Sequence, residues 1–439
     1  MSKVNVFLEK YVMPFAGKLA AQRHLGALRD GLILAMPLII IGSFFLILAS
    51  FPIDAWSGPK GYLVAHPHLK ASLLYPFKGT FELMALIATF GIAYRLAESY
   101  KVDPLASGAI SLAAYFVVTP FTAYKIGIDP KTGLDLLENA MPAAFFTSKG
   151  LFVGMVVAIL CTEIYRYIMQ KDIVIKLPDG VPPAVARSFT ALIPGFIAIV
   201  AAWCLRLIIE NWTSFGSVHN VVAKLLQEPL TVAGTSLVGT VILFLLIQLL
   251  WCTGLHGASI VGAVMTPVWL TLTNENAAAF AAGHAVKHIA TNELNDIVFI
   301  GGSGCTLSLV IAMLLFSKSQ QMKQLGRLGI GPGIFQINEP ITFGMPIVMN
   351  PLMMVPFILT PVISVIITYV SMDIGLVAKP IGVVPPWTMP PILQGYIITG
   401  SISGAILQLV IMAISFVIYF PFFKMWDKQK FEEEQQVQS

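Results

Sequence analysis

The sequence predicts an all-α polytopic membrane protein with about ten transmembrane helices, re-entrant hairpins in the C-terminal half and an interfacial amphipathic helix at the amino terminus. Two observations carry this prediction. Of the 439 residues, 56% are hydrophobic and only 11% are charged, whereas soluble domains carry roughly 25% charged residues. The hydrophobic residues also form long runs without Asp, Glu, Lys or Arg, and a soluble protein with such runs would lack a charged exterior.

The amino-terminal segment differs from the rest of the chain. Residues 3–27 alternate apolar positions with basic ones, a pattern typical of an amphipathic helix at the cytoplasmic interface. A solvated leader is the alternative. The first long apolar run begins only after Asp30, which is too late for a cleavable signal peptide, so we expect the first span to be retained.

Predominantly uncharged runs locate the spans, because a transmembrane helix needs about 20 predominantly apolar residues. Runs flanked by charges at both ends each predict one crossing: Gly31 to Ile53, Pro104 to Tyr124, Ser188 to Ile209 and Ile297 to Ser317. Weaker candidates occupy roughly 79–98 and 146–168.

The second half contains two uncharged runs that are much longer than one span, Pro229 to Asn274 and Pro380 to Phe423. Glycines and prolines interrupt both, which predicts broken helices or re-entrant hairpins. Irregular backbone is tolerated at membrane depth only where protein or a water-filled cavity satisfies its polar groups. We therefore expect the substrate site in this half.

The short basic loops favour the cytoplasmic side, which places both termini inside and gives about ten spans. The predicted organisation is an interfacial helix over 1–27, a helical half over 28–210, a half with re-entrant segments over 211–426, and a cytoplasmic tail over 427–439. The acidic end of that tail, Glu432 to Glu434, is most simply a disordered segment.

Several classes of function and site are disfavoured by charge and cysteine pattern. The net charge of +4, dispersed over short connecting segments, does not indicate a nucleic-acid partner. The four cysteines lie in or beside apolar runs without CxxC spacing, so a disulfide framework or a zinc site is not predicted. We expect no metal and no cofactor.

Glu339 is the first candidate functional residue. It is the only Asp, Glu, Lys, Arg or His between Arg327 and Asp373, and an intramembrane carboxylate is functional by default. Pro340 favours an extended conformation at Glu339 and can begin a helix, which presents the Asn338 and Glu339 side chains at a helix entrance. Pairing with a basic residue, or simply marking the end of a span, is the structural alternative.

His256 is the second candidate, in a 46-residue run that otherwise lacks Asp, Glu, Lys and Arg. It stands between Gly254 and Gly257, where the backbone can approach closely. A hydrogen-bonded core histidine is an equally plausible interpretation of this residue alone. An imidazole can also orient a carboxylate, donate to a sugar hydroxyl or shuttle a proton.

Trp251, Trp387 and Gly302 complete the candidate set. Both tryptophans stand near the broken segments and can stack on a sugar ring, although interfacial anchoring is nearly as good an explanation for Trp251. Gly302 belongs to a Gly-Gly-Ser-Gly segment at 301–304 that lacks the Lys and Ser/Thr ending of a P-loop. Close helix packing or backbone contact with a ligand is the better interpretation.

Three ordered motifs resemble the enzyme IIC permease of bacterial phosphotransferase systems, in its lactose, cellobiose and diacetylchitobiose branch. They are Gly-Leu-His-Gly at 254–257, Asn-Glu-Pro at 338–340 within Ile-Asn-Glu-Pro-Ile-Thr-Phe-Gly, and Pro-Pro-Trp-Thr at 385–388. The resemblance runs over essentially the whole chain. It implies a multi-pass homodimer in the bacterial cytoplasmic membrane, with most of the dimer contact in the first half and the sugar held among re-entrant hairpins of the second.

The resemblance also implies the roles of residues and partners. Glu339 would contact the sugar hydroxyl to be phosphorylated, His256 would lie beside it, and Asn338 and Trp387 would complete the pocket. The phosphoryl donor would be a phosphocysteine on a separate IIB protein, itself charged by a IIA histidine. The expected substrate is a β-linked disaccharide of the cellobiose or diacetylchitobiose type.

Two rival function classes remain open from the residues alone. A secondary sugar transporter would relay protons through Glu339 and His256, whereas an intramembrane enzyme would act on a substrate without moving it. We expect this chain to carry no phosphoryl-accepting residue of its own, because its cysteines lie within membrane runs and it has no hydrophilic segment long enough for a IIA or IIB domain.

Overall fold

The computed structural model describes residues 14, 18, 21–50, 54–57, 61–128, 135–178, 180–345, 347–348 and 350–438. The amphipathic helix predicted over 1–27 lies largely outside the described residues. Within the described ranges the chain is helical apart from one antiparallel two-stranded hairpin, so the predicted helical membrane fold is confirmed. The hairpin was not expected; it follows the helix that begins at Pro104.

The elements up to residue 231 are named in chain order. They are α1 Arg23–Ile33, α2 Met36–Ser50, α3 Asp54–Ser57, α4 Tyr62–Ala65, α5 Pro67–Leu73, α6 Tyr75–Thr80, a 3₁₀ turn Phe81–Leu83, α7 Met84–Ser99, α8 Pro104–Val118, β1 Thr122–Ile128, β2 Asp135–Ala140, a 3₁₀ turn Ala143–Phe145, α9 Ser148–Gln170, α10 Pro183–Thr190, α11 Leu192–Trp212, α12 Val218–Val222, a π-helical turn Ala223–Gln227 and α13 Glu228–Thr235.

The remaining elements form most of the C-terminal half. They are α14 Leu237–Cys252, α15 Gly257–Ala281, α16 Leu294–Val298, α17 Leu307–Phe316, α18 Gln320–Ile334, α19 Glu339–Gly344, α20 Pro351–Asp373, α21 Leu393–Thr399 and α22 Ile402–Gln438.

The chain divides into two compact units. The first unit comprises Gln22–Gly42 and Pro76–Thr231, and the second comprises Ser43–Tyr75 and Val232–Ser439 together with the amino-terminal residues. The predicted assignment of 28–210 as a dimerisation scaffold stays a prediction.

The first unit is built around α7, which packs against α1, α8 and α9. Small residues allow this close approach: a Cβ added to Gly31 would lie 2.5 Å from Ile92 on the neighbouring helix. Helix α8 begins sharply because the Asp103 carboxylate accepts hydrogen bonds from the N–H groups of Leu105 and Ala106, and Pro104 occupies the first helical position.

Among the residues that the structure describes, six helical stretches are long and apolar enough to cross a membrane, by length and composition. They cover Arg23–Ala49, Pro67–Ser99, Ser148–Gln170, Val185–Trp212, Pro351–Asp373 and Ile402–Gln436. A seventh candidate is the pair broken at Ser236, and α8 and α17 are shorter apolar helices. The broken helices predicted in the second half are present. The number of ten spans stays a prediction.

The prediction of one crossing over Ile297 to Ser317 is wrong. This stretch contains the end of the five-residue α16, a turn, and the ten-residue α17. Gly301, Gly302 and Gly304 all have positive φ in that turn, a conformation that a helix cannot contain. A hydropathy pattern does not register the interruption because glycine carries no charge.

The core of the second unit holds this turn in place. A cluster of buried apolar side chains joins α14, α16, α17, α20, α21 and α22. Its members include Leu294, Ile297, Val298 and Leu307, which are at most 3% exposed. Both flanks of the glycine turn are therefore fixed by packing.

The disordered acidic tail is also a wrong prediction, because α22 continues to Gln438. The Asp427 carboxylate accepts hydrogen bonds from the N–H groups of Lys318 and Ser319. The Glu434 carboxylate accepts from the N–H groups of Gln320 and Gln321 and from the Ser319 hydroxyl. These carboxylates satisfy donors at the start of α18, which an uncapped helix leaves open.

Candidate functional site

A cavity of about 250 Å³ in the second unit collects the predicted site residues. We call it the polar cavity. Its lining residues are Trp251, His256, Asn295, Asp296, Phe299, Gly302, Ser303, Gln336, Asn338, Glu339 and Trp387. All six residues singled out from the sequence, which come from four separate stretches of chain, therefore border one space.

His256 is positioned by the turn between α14 and α15. Gly254 has φ +82° there, and His256 caps the start of α15. Its Nδ1 accepts a hydrogen bond from the backbone N–H of Ser259 at 3.1 Å and lies 2.8 Å from the Ser259 hydroxyl. Because Nδ1 accepts from a backbone N–H, a neutral imidazole carries its hydrogen on Nε2 and can donate from that atom.

Trp251 packs against His256, with ring centroids 4.5 Å apart. The indole is only 4% exposed, so it is less suited to interfacial anchoring than to forming a wall of the cavity. Trp387 differs, since 57% of its surface is exposed and it stands in a segment without helix. Prolines at 385 and 386 and at 390 and 391 prevent a continuous helix there.

Gln336 links its own segment to two others beside the cavity, the glycine turn and the segment that contains Met389 and Gln394. Its Oε1 accepts a hydrogen bond from the N–H of Gly301, and its Nε2 donates to the carbonyl oxygen of Met389 and to Oε1 of Gln394. The backbone of Gln336 has φ +66°, which is uncommon outside glycine. Such conformations concentrate at functional sites, where surrounding contacts enforce them.

Asn338 and Glu339 follow Gln336 and have different environments. Asn338 is buried, and its Nδ2 donates to the carbonyl oxygen of Ser303. Glu339 is exposed and begins α19, with Pro340 in the first turn. No hydrogen bond from the described part of the chain reaches its carboxylate. The Asn338 amide is therefore held by the protein, whereas the Glu339 carboxylate remains available to a ligand in the cavity.

Gly302 is required by close packing. It has φ +88°, and an added Cβ would lie 2.7 Å from Cγ of Asn338 and 2.9 Å from the Gln336 carbonyl oxygen. Gly302 thus packs closely against the non-helical segment of Gln336 and Asn338 rather than against a helix, and its contact with a ligand stays a prediction.

Five lining residues were not predicted: Asn295, Asp296, Phe299, Ser303 and Gln336. The signal for Asp296 was present, because a carboxylate directly precedes the run that contains the glycine turn. It was interpreted only as the flank of a span. Gln336 and Asn295 carry no charge, and nothing in their local pattern distinguishes them from ordinary polar residues.

Asp296 and Glu293 lie in or beside the short helix α16, outside the helices long enough to cross a membrane. Burial raises the pKa of the Asp296 carboxyl, and the neighbouring Glu293 raises it further. Burial also raises the pKa of Glu293, although the hydroxyls of Thr291 and Thr273 oppose this effect. Both environments favour the neutral carboxyl over the carboxylate.

The first unit contains a second cavity of about 200 Å³ with a different lining. We call it the apolar cavity. It is bordered only by Val118, Val157, Leu160, Cys161, Ile164, Ala198, Ala201, Ala202 and Leu205. None of these side chains can orient a polyhydroxylated molecule.

Comparisons with known proteins identify the family of this chain. The family model described as "Phosphotransferase system, EIIC" matches residues 29–361. The chain is 53% identical to the lichenan permease IIC component of Bacillus subtilis (strain 168), over 99% of this chain and 96% of that protein. It is 54% identical to the cellobiose-specific EIIC component of Geobacillus stearothermophilus, over 99% of this chain and 97% of that protein.

One solved structure is similar over nearly the whole length. The crystal structure of the transporter ChbC, the IIC component of the N,N'-diacetylchitobiose-specific phosphotransferase system, matches with a TM-score of 0.91 and 55% identity. The match covers 98% of this chain and 99% of that one.

Proposed function

The chain belongs to the EIIC family of the phosphotransferase system, and we propose that it binds a β-linked disaccharide in the polar cavity and presents it to a phosphorylated IIB protein. Sugar translocation as a IIC component, working with IIB and IIA proteins, is the role of this family. The same membership gives no support to a proton-coupled transporter. The single observation that carries the site assignment is the meeting of Glu339, His256, Asn338 and both tryptophans around one cavity.

The cavity contains the groups that sugar binding requires. Trp251 and Trp387 present aromatic surface to the apolar faces of sugar rings. Glu339 accepts hydrogen bonds from hydroxyls, whereas His256 donates through Nε2 when its Nδ1 is occupied by Ser259. Asn338 is held by Ser303, so little conformational entropy is lost when a ligand contacts it.

Glu339 is placed to assist the transfer of the phosphoryl group. The oxygen of the sugar hydroxyl attacks phosphorus, the bond between phosphorus and the cysteine sulfur of IIB breaks, and a thiolate leaves. The hydroxyl proton passes to the Glu339 carboxylate. Positioning and charge stabilisation provide most of the catalysis in such transfers. The product carries a phosphate, and its charge disfavours return through an apolar pathway.

The decisive experiment uses Glu339→Gln in proteoliposomes with purified phospho-IIB. We expect this variant to retain sugar binding and to lose at least about 100-fold in phosphorylation rate, the scale on which general-base groups act. The control is Glu432→Gln, on the exposed part of α22. A wild-type phosphorylation rate in Glu339→Gln contradicts the base role, and uptake driven by a pH gradient without IIA and IIB contradicts group translocation.

The names of the relatives narrow the substrate class. Lichenan and cellobiose contain β-linked glucose, and diacetylchitobiose contains β-linked N-acetylglucosamine. We propose cellobiose or diacetylchitobiose as the sugar, and binding of the purified protein to both radiolabelled disaccharides decides between them. Preference for an α-linked disaccharide contradicts the proposal.

We also propose an assembly and a membrane topology for the chain. We expect a homodimer through the first unit, where the large apolar residues Phe196 and Trp203 of α11 are 67% and 51% exposed. We also expect both termini to face the cytoplasm, as the basic loops indicate. Exposed Cys204 of the same helix is a natural reporter, because a homodimer through α11 brings two copies within reach of a short thiol cross-linker.

A further inference from the structure

We propose that Asp296 is a second sugar-binding carboxyl of the polar cavity and that it contacts a hydroxyl other than the one to be phosphorylated, so that it helps to determine which disaccharide binds. This inference rests on the proposed function, because it assumes that the ligand of the cavity is a sugar. It concerns a residue that no sequence motif identifies.

The position of Asp296 is fixed by packing. Its neighbours Leu294, Ile297 and Val298 are at most 2% exposed and belong to the buried core of the second unit. The Asp296 carbonyl oxygen accepts a hydrogen bond from Nε2 of Gln408 at 3.4 Å. The carboxyl therefore projects into the cavity from a rigid element, which is the arrangement that gives precise recognition.

Several polar atoms around Asp296 have no hydrogen-bond partner among the described residues. No hydrogen bond from the described residues reaches the Asp296 carboxyl, and the buried atoms Oδ1 of Asn295 and Nε1 of Trp251 have none either. All three residues line the cavity. Leaving a buried polar group unpaired is unfavourable, so a ligand that satisfies several of these groups gains affinity.

Other polar residues of this region make hydrogen bonds to protein. Gln336 and Asn338 do so, and Oε2 of Glu293 accepts one from the Thr273 hydroxyl at 2.9 Å, although Oε1 of Glu293 has none among the described residues. Nδ2 of Asn295 donates to the Asn292 carbonyl oxygen at 3.3 Å. The Asp296 carboxyl and Oδ1 of Asn295 are the groups of this wall that a ligand in the cavity can use.

The chemistry of Asp296 suits a hydroxyl. Its pKa is raised by burial and by Glu293, so the neutral carboxyl is favoured, with one oxygen that donates and one that accepts. A sugar hydroxyl likewise donates and accepts. A neutral carboxyl paired with a sugar hydroxyl needs no buried counter-charge. An ionised carboxylate in the same place would require one.

Asp296 and Glu339 occupy different settings, which separates their roles. Glu339 is exposed at the start of α19, where an incoming IIB protein can approach, whereas Asp296 is half-buried on α16. A site that hydrogen-bonds a hydroxyl rejects the analogue without that hydroxyl, because its polar groups are then left unpaired. Asp296 thus acts as a specificity determinant, without a part in phosphoryl transfer.

The test measures the Kd of the purified full-length protein for the parent disaccharide and for a set of its monodeoxy analogues. We expect Asp296→Ala to weaken parent binding by about 10-fold and to have almost no effect on one analogue, which lacks the hydroxyl that Asp296 contacts. Asp296→Asn keeps a neutral donor and acceptor and should stay within about 3-fold of wild type. Asp373→Ala is the matched control, since Asp373 is an exposed aspartate of the second unit that does not line the cavity.

Two results overturn the proposal. One is a wild-type Kd for the parent sugar in Asp296→Ala, and the other is an equal loss for the parent and every analogue, which indicates a structural role only. Asp296→Ser, measured against the same set, replaces Asp296→Ala if the latter does not fold. Failure of the proposed function gives a different signature, because the wild-type protein then fails to bind the disaccharide or to deliver sugar phosphate with phospho-IIB, whatever the Asp296 variants do.

Discussion

The polar and apolar cavities are bordered by different kinds of backbone structure, and this difference explains which of them can hold a sugar. The apolar cavity is bordered by three continuous helices, α8, α9 and α11, whose backbone polar groups are satisfied within each helix. The polar cavity is formed by helix ends and turns, where backbone and side-chain polar groups face inward. Broken helices are thus the means by which a membrane protein provides hydrogen bonds at a binding site.

The two units also differ in the way they use glycine. In the first unit, Gly31 lets neighbouring helices approach. In the glycine turn of the second unit, Gly301, Gly302 and Gly304 take up positive φ, so they determine the path of the backbone as well as its packing. Substitutions in the two regions should therefore have very different consequences for sugar binding.

The largest effect is expected for Gly302→Ala. The new methyl group would lie 2.7 Å from Cγ of Asn338 on a backbone with φ +88°, so either Asn338 or the glycine turn must move. We expect the Kd for sugar to rise by at least about 30-fold, since strain at a positive φ and a displaced ligand contact act together. Binding by isothermal titration calorimetry measures this.

The matched control is Gly331→Ala. Gly331 lies within α18, has no positive φ, and an added Cβ would meet nothing within 4 Å. This variant should bind sugar as wild type does. If Gly302→Ala and Gly331→Ala lose affinity equally, an added methyl group is not tolerated at either position. The prediction that Gly302 has a particular role in sugar binding is then contradicted.

A smaller effect is expected for Trp387→Ala. Loss of an aromatic surface that stacks on a sugar ring should raise the Kd about 10-fold, on the scale of aromatic contacts of roughly 1.5 kcal/mol. Trp212→Ala, at an indole that is 80% exposed in the first unit, is the control and should leave the Kd unchanged. Equal behaviour of the two variants contradicts a role for Trp387 in the cavity.

Glu434→Gln tests the support of the polar cavity from the carboxyl-terminal helix. The carboxylate accepts hydrogen bonds at the start of α18, and the end of α18 leads to Gln336 and Asn338. Its loss should lower stability by about 1 kcal/mol, the usual effect of a helix cap, seen as a reduced Tm in detergent. Glu433→Gln, which alters only exposed contacts with Lys430 and Gln429 of the same helix, should leave Tm unchanged. A drop of the same size in both variants contradicts the capping role.

The smallest effect is expected for Ala202→Leu in the apolar cavity. The larger side chain has unoccupied apolar space of about 200 Å³ beside it, so added burial offsets any crowding. Sugar affinity should stay within about 2-fold of wild type, because no group of this cavity is expected to contact the sugar. A change of 10-fold in the Kd contradicts the functional separation of the two cavities.

Much of this protein was determined by the sequence alone. The membrane fold follows from composition, because a chain with few charges cannot form a water-exposed surface. Glu339 and His256 were identified because each is isolated in an uncharged run, and a lone ionisable group in such a place is costly unless it has a use. The meeting of the six candidate residues in one cavity is in accord with that argument.

Tertiary structure decided what charge patterns do not register. The stretch predicted to be one span contains a turn formed by uncharged glycines. The acidic tail, which was expected to be disordered, is helical, and two of its carboxylates accept hydrogen bonds from backbone N–H groups of a segment distant in sequence. In the sequence, Asp296 is an ordinary charge at the flank of an apolar run, and only the folded structure places it at the cavity. A sequence specifies the polarity of each side chain, whereas the partners that satisfy that polarity are fixed only when distant segments pack together.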